Sequence, residues 1–349
     1  MKFQGLTVAV LPPNALGDVT LYLHLAWQFH QAGAQVRFFS NPLFPAREFF
    51  NWLQIEPVEQ MDLWQLAGEC DLMIAYFNYL PKDAVERERC LERQNIAYVT
   101  AKKLPKNIPL HGRDVMVGEL CFKAASMPFC LDSRAGLSMR EWIDRYVETV
   151  YGIPVIDSLG MVSPSLRREP GNRVLIFPTS PHSKKNYSMG GFLRLARRLQ
   201  KLDWQVEFIG MPSEEEELKA RFVGFPVLSF ADIGKLMAHM AAAVAVISND
   251  SGGGHLGSMM GLRTFTIARR HERFVWRPGF SSRGMVLAPR VRFKWLNGDY
   301  IWRPFVQVGR IVEALGAYTA DGLSLGVKTW TPDETFMTTS NGESAQTHH

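Results

Sequence analysis

The stretch Ser248-Asn249-Asp250-Ser251-Gly252-Gly253-Gly254-His255-Leu256 lies between an apolar run, Ala243 to Ile247, and a helix-like segment beginning near Gly254. A strand that breaks into small residues and then opens a helix belongs to a fold in which helices cover a sheet. Such a turn also presents free backbone N–H groups and the positive end of a helix dipole, which together form an anion site, with phosphate the commonest occupant. His255 could add a side-chain donor on the same side. The same residues also suit an ordinary strand-to-helix turn with Asp250 or Ser251 as N-cap. By itself the turn does not separate these two readings.

The rest of the chain repeats this rhythm. Leu6 to Leu11 reads as a strand, Val19 to His30 as a strongly apolar helix stopped by Gly33, and Gln35 to Phe39 as the next strand. Leu72 to Tyr76 and Ile96 to Thr100 are further strand candidates with helix-like segments between them, and Ser138 to Tyr151 is a helix opened by a Ser138/Glu141 capping box. From Asp157 to Gly171 the chain is rich in Ser, Pro, Gly and Arg without periodicity, which reads as an interdomain linker. The alternation then restarts. Val174 to Phe177, Val206 to Ile209, Ala243 to Ile247 and Thr264 to Ile267 read as strands, with Phe192, Leu195, Ala196 and Leu199 on one face of a helix. Pro304 to Leu315 reads as a last helix.

The expected architecture is therefore α/β. It has two units with mostly parallel sheets, 1–160 and 161–327, the last helix being able to fold back on the first unit, and a disordered tail over 328–349. A length of 349 residues suits two units that each bury a core. Ligands of such sheets bind at the carboxyl ends of the strands. No apolar run is long enough to span a membrane, and Met1 to Gly5 leads into a strand, not a secretory core, so a cytoplasmic protein is expected. Cys70, Cys90, Cys121 and Cys130 have neither metal nor disulfide-framework spacing and read as reduced packing residues. The net charge of +5 suits an anionic small ligand or an anionic membrane and is too weak to argue for nucleic acid.

Three loops at strand ends carry the chemistry. Asp18, in Leu16-Gly17-Asp18-Val19, places a carboxylate at a strand-to-helix turn, where it is either an N-cap or a reactive group at the cleft mouth. Thr179-Ser180-Pro181-His182-Ser183-Lys184-Lys185-Asn186-Tyr187 offers hydroxyls and two lysines to phosphate oxygens, or is a solvated turn. Gly210-Met211-Pro212-Ser213-Glu214 places a carboxylate where it could accept ribose hydroxyls, or cap a helix. There is no Asp-x-Asp pair and no His/Cys cluster with zinc spacing, so no metal ligands are expected.

Gly17-Asp18, Lys185-Asn186-Tyr187, the Gly-x-Pro-x-Glu turn and Asp-Ser-Gly-x-x-His-Leu occur in one order over residues 5 to 315. Together they resemble glycosyltransferase family 9, the heptosyltransferases of lipopolysaccharide core synthesis, which have the two-domain GT-B fold of Rossmann-like units facing a cleft. The resemblance implies that Asp18 is the general base and Lys185 a contact to donor phosphate. It sets Ser180 at phosphate, Glu214 at ribose, and Asp250, Ser251, Gly252, Gly253 and His255 in the diphosphate turn. It further implies an inverting, metal-independent transfer without cofactor, with ADP-heptose as donor and a lipid-linked or core saccharide as acceptor. Hinge motion is expected at 157–172 as the units close. The chain departs from the family at Tyr22-Leu23-His24, where a Pro is often found, and at Gly253-Gly254, where Pro-Met is usual.

Arg263, Arg269, Arg270, Arg273, Arg277, Arg283, Arg290, Arg292 and Lys294 face only Glu272 before Asp299, with Trp276, Phe280, Phe293 and Trp295 interleaved. This stretch is either a solvated surface or a contact for an anionic acceptor or the anionic face of the inner membrane. Two other functions fit the scaffold: a nucleotide-sugar epimerase, which needs acid/base groups on both sugar faces, and a nucleotide-sugar binder without turnover.

Overall fold

A computed structural model describes residues 2–58, 61–158, 160–166, 171–280, 283–294 and 300–322. Thr7–Leu11 (β1) is apolar on both faces, and both are covered. Val8 and Val10 enter one buried cluster while Ala9 and Leu11 enter another. A strand buried on both sides is the mark of a parallel sheet sandwiched by helices. The helix that follows, Leu16–Gln31 (α1), is buried along most of its length and stops at Gly33, whose φ of 99° requires a residue without Cβ.

Gln35–Phe39 (β2), Gln54–Glu56 (β3), Leu72–Tyr76 (β4) and Ile96–Val99 (β5) complete a five-stranded parallel sheet in the order β3-β2-β1-β4-β5. Leu63–Gly68 (α2) and Ala84–Glu92 (α3) are capped by Asp62 and Asp83. An antiparallel hairpin, Arg113–Val117 (β6) with Leu120–Ser126 (β7), precedes Met139–Tyr146 (α4). Both halves of the expected Ser138/Glu141 capping box are present at α4.

The second sheet repeats the plan. Arg173–Phe177 (β8), Gln205–Gly210 (β9), Val227–Ser229 (β10), Ala245–Asn249 (β11), Arg263–Ile267 (β12) and Met285–Leu287 (β13) are all parallel, in the order β10-β9-β8-β11-β12-β13. Its helices are Met189–Gln200 (α5), Glu215–Arg221 (α6), Ile233–Met240 (α7), Gly252–Met259 (α8) and Gly309–Gly322 (α9). The order of strands reverses between β1 and β4 in one sheet and between β8 and β11 in the other. The carboxyl ends at those two points are where ligands of open α/β sheets bind.

Two expectations need correction. The segment expected to be a free linker is instead fastened to the first unit. Trp27 Nε1 donates to Asp157 O at 3.0 Å, Trp52 Nε1 to Met161 O at 2.6 Å, and Ser163 N to Phe49 O at 2.8 Å. Indole donors and buried Met161 and Val162 outweigh the loop-like composition over residues 157–163. Residues 167–170 lie outside the described residues. The last helix stays with the second unit, because Ile311 and Leu315 join its core and Trp204 packs on Tyr318. The expected disordered tail also lies outside the described residues.

The units meet closely. One apolar cluster runs through both, from Val8 and Val10 to Leu175, Phe177 and Val246. A Cβ on Gly252 would lie 2.9 Å from Leu16 Cβ, and one on Gly17 would lie 3.2 Å from His255 Cδ2, so the starts of α1 and α8 abut through small residues. Met139 N donates to Val275 O at 2.7 Å, and Arg277 Nη2 reaches Glu141 Oε2 at 2.8 Å, tying the units at a second place.

Candidate active site

Asp18 is not the N-cap of α1. Ala15 occupies that position without a side-chain bond, and Asp18 sits in the first turn, half-buried at the carboxyl end of β1. A carboxylate there gains from the helix dipole, but loss of water dominates. Burial pushes the Asp18 carboxyl up to about 6, opposed by the positive charge of Lys185 from the other unit. Tyr22, one turn further along α1, is buried with its hydroxyl unpartnered, and burial followed by the Asp18 charge raises its phenol well above the usual range. Tyr76, at the end of β4, also feels the Asp18 charge.

Lys185 sits in the loop after β8. Its Nζ lies 2.9 Å from Asp250 Oδ2, at the turn after β11. The lysine loop is shaped by residues that sequence reasoning passed over. Asn249 is fully buried. Its Oδ1 accepts from Tyr187 N at 2.8 Å, and its Nδ2 donates to Pro178 O at 2.7 Å, joining the two loops. Arg303 donates from Nε to Asn186 O at 2.6 Å and from Nη2 to Ser183 O at 3.3 Å. Asn249 lay inside the quoted turn and could have been flagged as an Asn ending an apolar strand. Nothing local marks Arg303, which is more than a hundred residues away in sequence from its partners.

Ser251 is the N-cap of α8 but makes no side-chain cap bond, and its buried Oγ has no partner. The first turn of α8 therefore keeps N–H groups that no side chain satisfies, beside the Lys185–Asp250 pair. The glycines have packing roles beneath this turn: a Cβ on Gly253 would lie 2.5 Å from the Phe177 ring, and one on Gly254 2.4 Å from Ser248 Oγ.

The other expected site residues are more committed to the fold. His255 is buried, its Nε2 lies 3.0 Å from Trp276 O, and burial lowers its basicity despite Asp250. A neutral ring that donates through Nε2 leaves Nδ1 an acceptor, so the expected side-chain donor to an anion is absent in this arrangement. Ser180 Oγ donates to Asn186 Oδ1 at 2.6 Å, within its own loop. Glu214 Oε2 accepts from Met211 N at 2.9 Å and Thr179 Oγ1 at 3.0 Å, which is a capping role.

The structure therefore brings together Asp18, Lys185, Asp250, Ser251 and the start of α8, and holds Ser180, Glu214 and His255 as supports around them. The arrangement can hold an anion at α8 and Lys185, with a proton acceptor facing it from the other sheet. Among the described residues no cluster of His, Cys, Asp and Glu is suited to a metal ion. The four cysteines are unpaired.

Residues 164–291 match the model of glycosyltransferase family 9 (heptosyltransferase). No curated protein sequence matches the chain. Among solved structures, ADP-heptose lps heptosyltransferase II of E. coli is similar over 90% of this chain and 99% of its own, with 17% identity and a TM-score of 0.61. The E. coli heptosyltransferase WaaC with ADP is similar over 89% and 99%, with 15% identity and a TM-score of 0.62. A glycosyl transferase family 9 structure from Veillonella parvula is similar over 82% and 87%, with 16% identity and a TM-score of 0.60. At these identities the likeness establishes the fold, two α/β units in the GT-B arrangement.

Proposed function

Because residues 164–291 match the family 9 glycosyltransferase model, we propose that the chain is a glycosyltransferase that transfers heptose from ADP-heptose, with inversion and without a metal ion or cofactor. The acceptor is a saccharide of the lipopolysaccharide core or a related cell-envelope glycan. Residues 1–160 form the acceptor side and 161–327 the donor side. The observation that carries this reading is the placement of Asp18, with its raised pKa, opposite the Lys185–Asp250 pair at the start of α8, where the two units meet.

In this mechanism the acceptor hydroxyl gives its proton to Asp18 as its oxygen attacks the anomeric carbon. The bond from that carbon to the diphosphate oxygen breaks, and the electron pair leaves with the diphosphate. Negative charge then grows beside Lys185 and the free N–H groups of Ser251, Gly252 and Gly253, whose dipoles are already oriented. Attack from the face opposite the leaving group inverts the centre. A carboxyl with a pKa of about 6 is ionised at neutral pH yet basic enough to assist, a contribution of about 10²–10⁴-fold. Metal independence is supported by the lack of an Asp-x-Asp pair in the sequence. The ADP held by the similar E. coli heptosyltransferase WaaC supports an adenine nucleotide for this chain. Among the described residues no helix is long and apolar enough to cross a membrane, and a lipid-linked acceptor would be met at the cytoplasmic face of the inner membrane.

A thermal-shift panel of ADP, UDP, GDP, CDP and TDP, with and without magnesium, tests the donor assignment. Stabilisation follows RT ln(1 + [L]/Kd), about 2.7 kcal/mol at a hundredfold excess over Kd. A shift with ADP alone, unchanged by magnesium, is expected. A shift with another nucleotide replaces the donor, and a shift that requires magnesium removes the metal-free mechanism.

A further inference from the structure

Part of the basic stretch that follows the α8 turn, and Arg310 beyond it, is engaged within the fold. Arg277 binds Glu141 and the Gly136 carbonyl, Arg310 pairs with Glu272, and Arg263 lies over Tyr318. The stretch ends at a small antiparallel pair that belongs to neither main sheet, Phe293–Lys294 (β14) with Tyr300–Ile301 (β15). Opposite residues of an antiparallel pair share a side, and neighbours alternate. Phe293 is opposite Ile301, and Lys294 is opposite Tyr300. One side is therefore apolar. The other carries Lys294 and Tyr300, with the Arg292 guanidinium 5.6 Å from the Tyr300 ring centre.

The apolar side is not covered. Phe293 is 55% exposed, although its ring edge meets Phe305, and Ile301 is 38% and the adjacent Val291 47% exposed. Other large exposed apolar residues are scattered, such as Val85, Leu131 and Val223, so this concentration is local. Arg292 and Lys294 are exposed on the other side, whereas Arg290 lines a pocket with Glu272 and Glu313. Between Arg290 and Val312 the sequence has one acidic residue, Asp299, beside Arg292 and Lys294. At the base, Arg290 N bonds to Phe305 O, and Arg303 connects onward to the lysine loop.

We propose that the β14–β15 pair docks the protein on an anionic phospholipid surface. Phe293, Ile301 and Val291 enter the boundary between headgroups and acyl chains, and Arg292 and Lys294 reach the lipid phosphates. An RNA strand would satisfy the cations, but the aliphatic Val291 and Ile301 offer no plane on which a base can stack. A lipid boundary uses both sides of the pair. Docking here would hold the donor loops next to the membrane, since Arg303 joins the pair to Ser183 and Asn186. The proposal shares with the transferase reading only the lipid-linked acceptor, and it is tested without donor or turnover.

The test is co-sedimentation of the full chain with vesicles of phosphatidylcholine alone or mixed with phosphatidylglycerol, at low and high salt. Binding to the mixed vesicles is expected, weakened by salt and nearly absent with phosphatidylcholine alone. Each basic residue near an anionic surface contributes roughly fivefold, so the Arg292→Glu/Lys294→Glu variant should lose at least about tenfold in partition. Phe293→Ser/Ile301→Ser should lose several-fold and abolish the part that resists salt. Val291→Ser, which spares the contact with Phe305, should lose less in the same direction. The Tm of each variant reports whether it is folded. No vesicle binding by the wild type, or equal partition of wild type and folded variants, overturns the proposal. Retention by an RNA homopolymer and not by vesicles overturns it too, in favour of a nucleic-acid surface.

Discussion

The starts of α1 and α8 occupy corresponding chemical positions, each following a buried parallel strand at the point where its sheet reverses order, yet the two have been given opposite contents. The first turn of α1 holds a carboxylate, whereas the first turn of α8 offers N–H groups and an unpartnered Ser251 hydroxyl beside a lysine. A helix dipole favours an anion at both by about 0.3–1 kcal/mol. At α1 that preference is overridden: a carboxyl moved from 3.8 to about 6 corresponds to roughly 3 kcal/mol against the charge. In the proposed mechanism the same local geometry serves as a base where the anion belongs to the chain and is poorly hydrated, and as an anion site where the chain supplies only donors. Because the two turns abut through Gly17 and Gly252, their contents act on one another.

The sharpest way to break this comparison is Asp18→Asn. Turnover should fall by about 10²–10⁴-fold while ADP affinity changes little, read by single-turnover kinetics and calorimetry. The stability effect has the opposite sign. The folded-state pKa is raised, so the folded chain binds the extra proton between about pH 4 and 6, and stability declines as pH rises through that window. Asp18→Asn should therefore be more stable than wild type above pH 6, by about 1–3 kcal/mol, with the gain fading as pH falls from about 6 to 4. Urea unfolding at pH 7.5 and at pH 4 checks both the sign and the window.

Asn249→Ala should damage the α8 side alone. It leaves Tyr187 N–H and Pro178 C=O without their buried partner, which should cost about 2–4 kcal/mol in denaturant unfolding. Lys185→Ala should weaken ADP binding by about 10–100-fold, the effect of losing a charge-assisted bond, with adenosine affinity nearly unchanged. Equal loss for ADP and adenosine would instead make Lys185 structural. The smallest effect is expected from Gly252→Ala, which places a methyl against Leu16 and should destabilise by about 1–2 kcal/mol, visible as a lower Tm.

Much of this contrast is legible in the sequence, because it rests on short-range signals. The strands around Val8, Ile74, Ile176 and Ile247 are continuous apolar runs, and the Ser138/Glu141 capping box is a four-residue pattern. The family resemblance supplies a ligand for each loop only as an expectation. What stayed hidden is non-local or weakly patterned. β3, β10 and β13 are three residues each, too short for a period to emerge, and the β6–β7 hairpin has exposed positions that blur its alternation. Residues 157–166 look like linker until Trp27 and Trp52 are seen to hold their carbonyls. Ser180 and Glu214 carry groups suited to a ligand, but their hydrogen bonds are spent inside the fold, and composition cannot distinguish these uses. His255 is similar: its ring is set by the Trp276 carbonyl from another loop.

The most direct test of the coupling between the two turns needs no substrate. A ¹³C-carboxylate NMR titration, with Asp18→Asn used to assign the resonance, reads the Asp18 pKa in wild type and in Lys185→Ala. The account predicts a value of about 6 in wild type and a higher one in Lys185→Ala, since the lysine charge that favours the carboxylate has been removed. A wild-type value near 4, or one that does not move when Lys185 is lost, would contradict it.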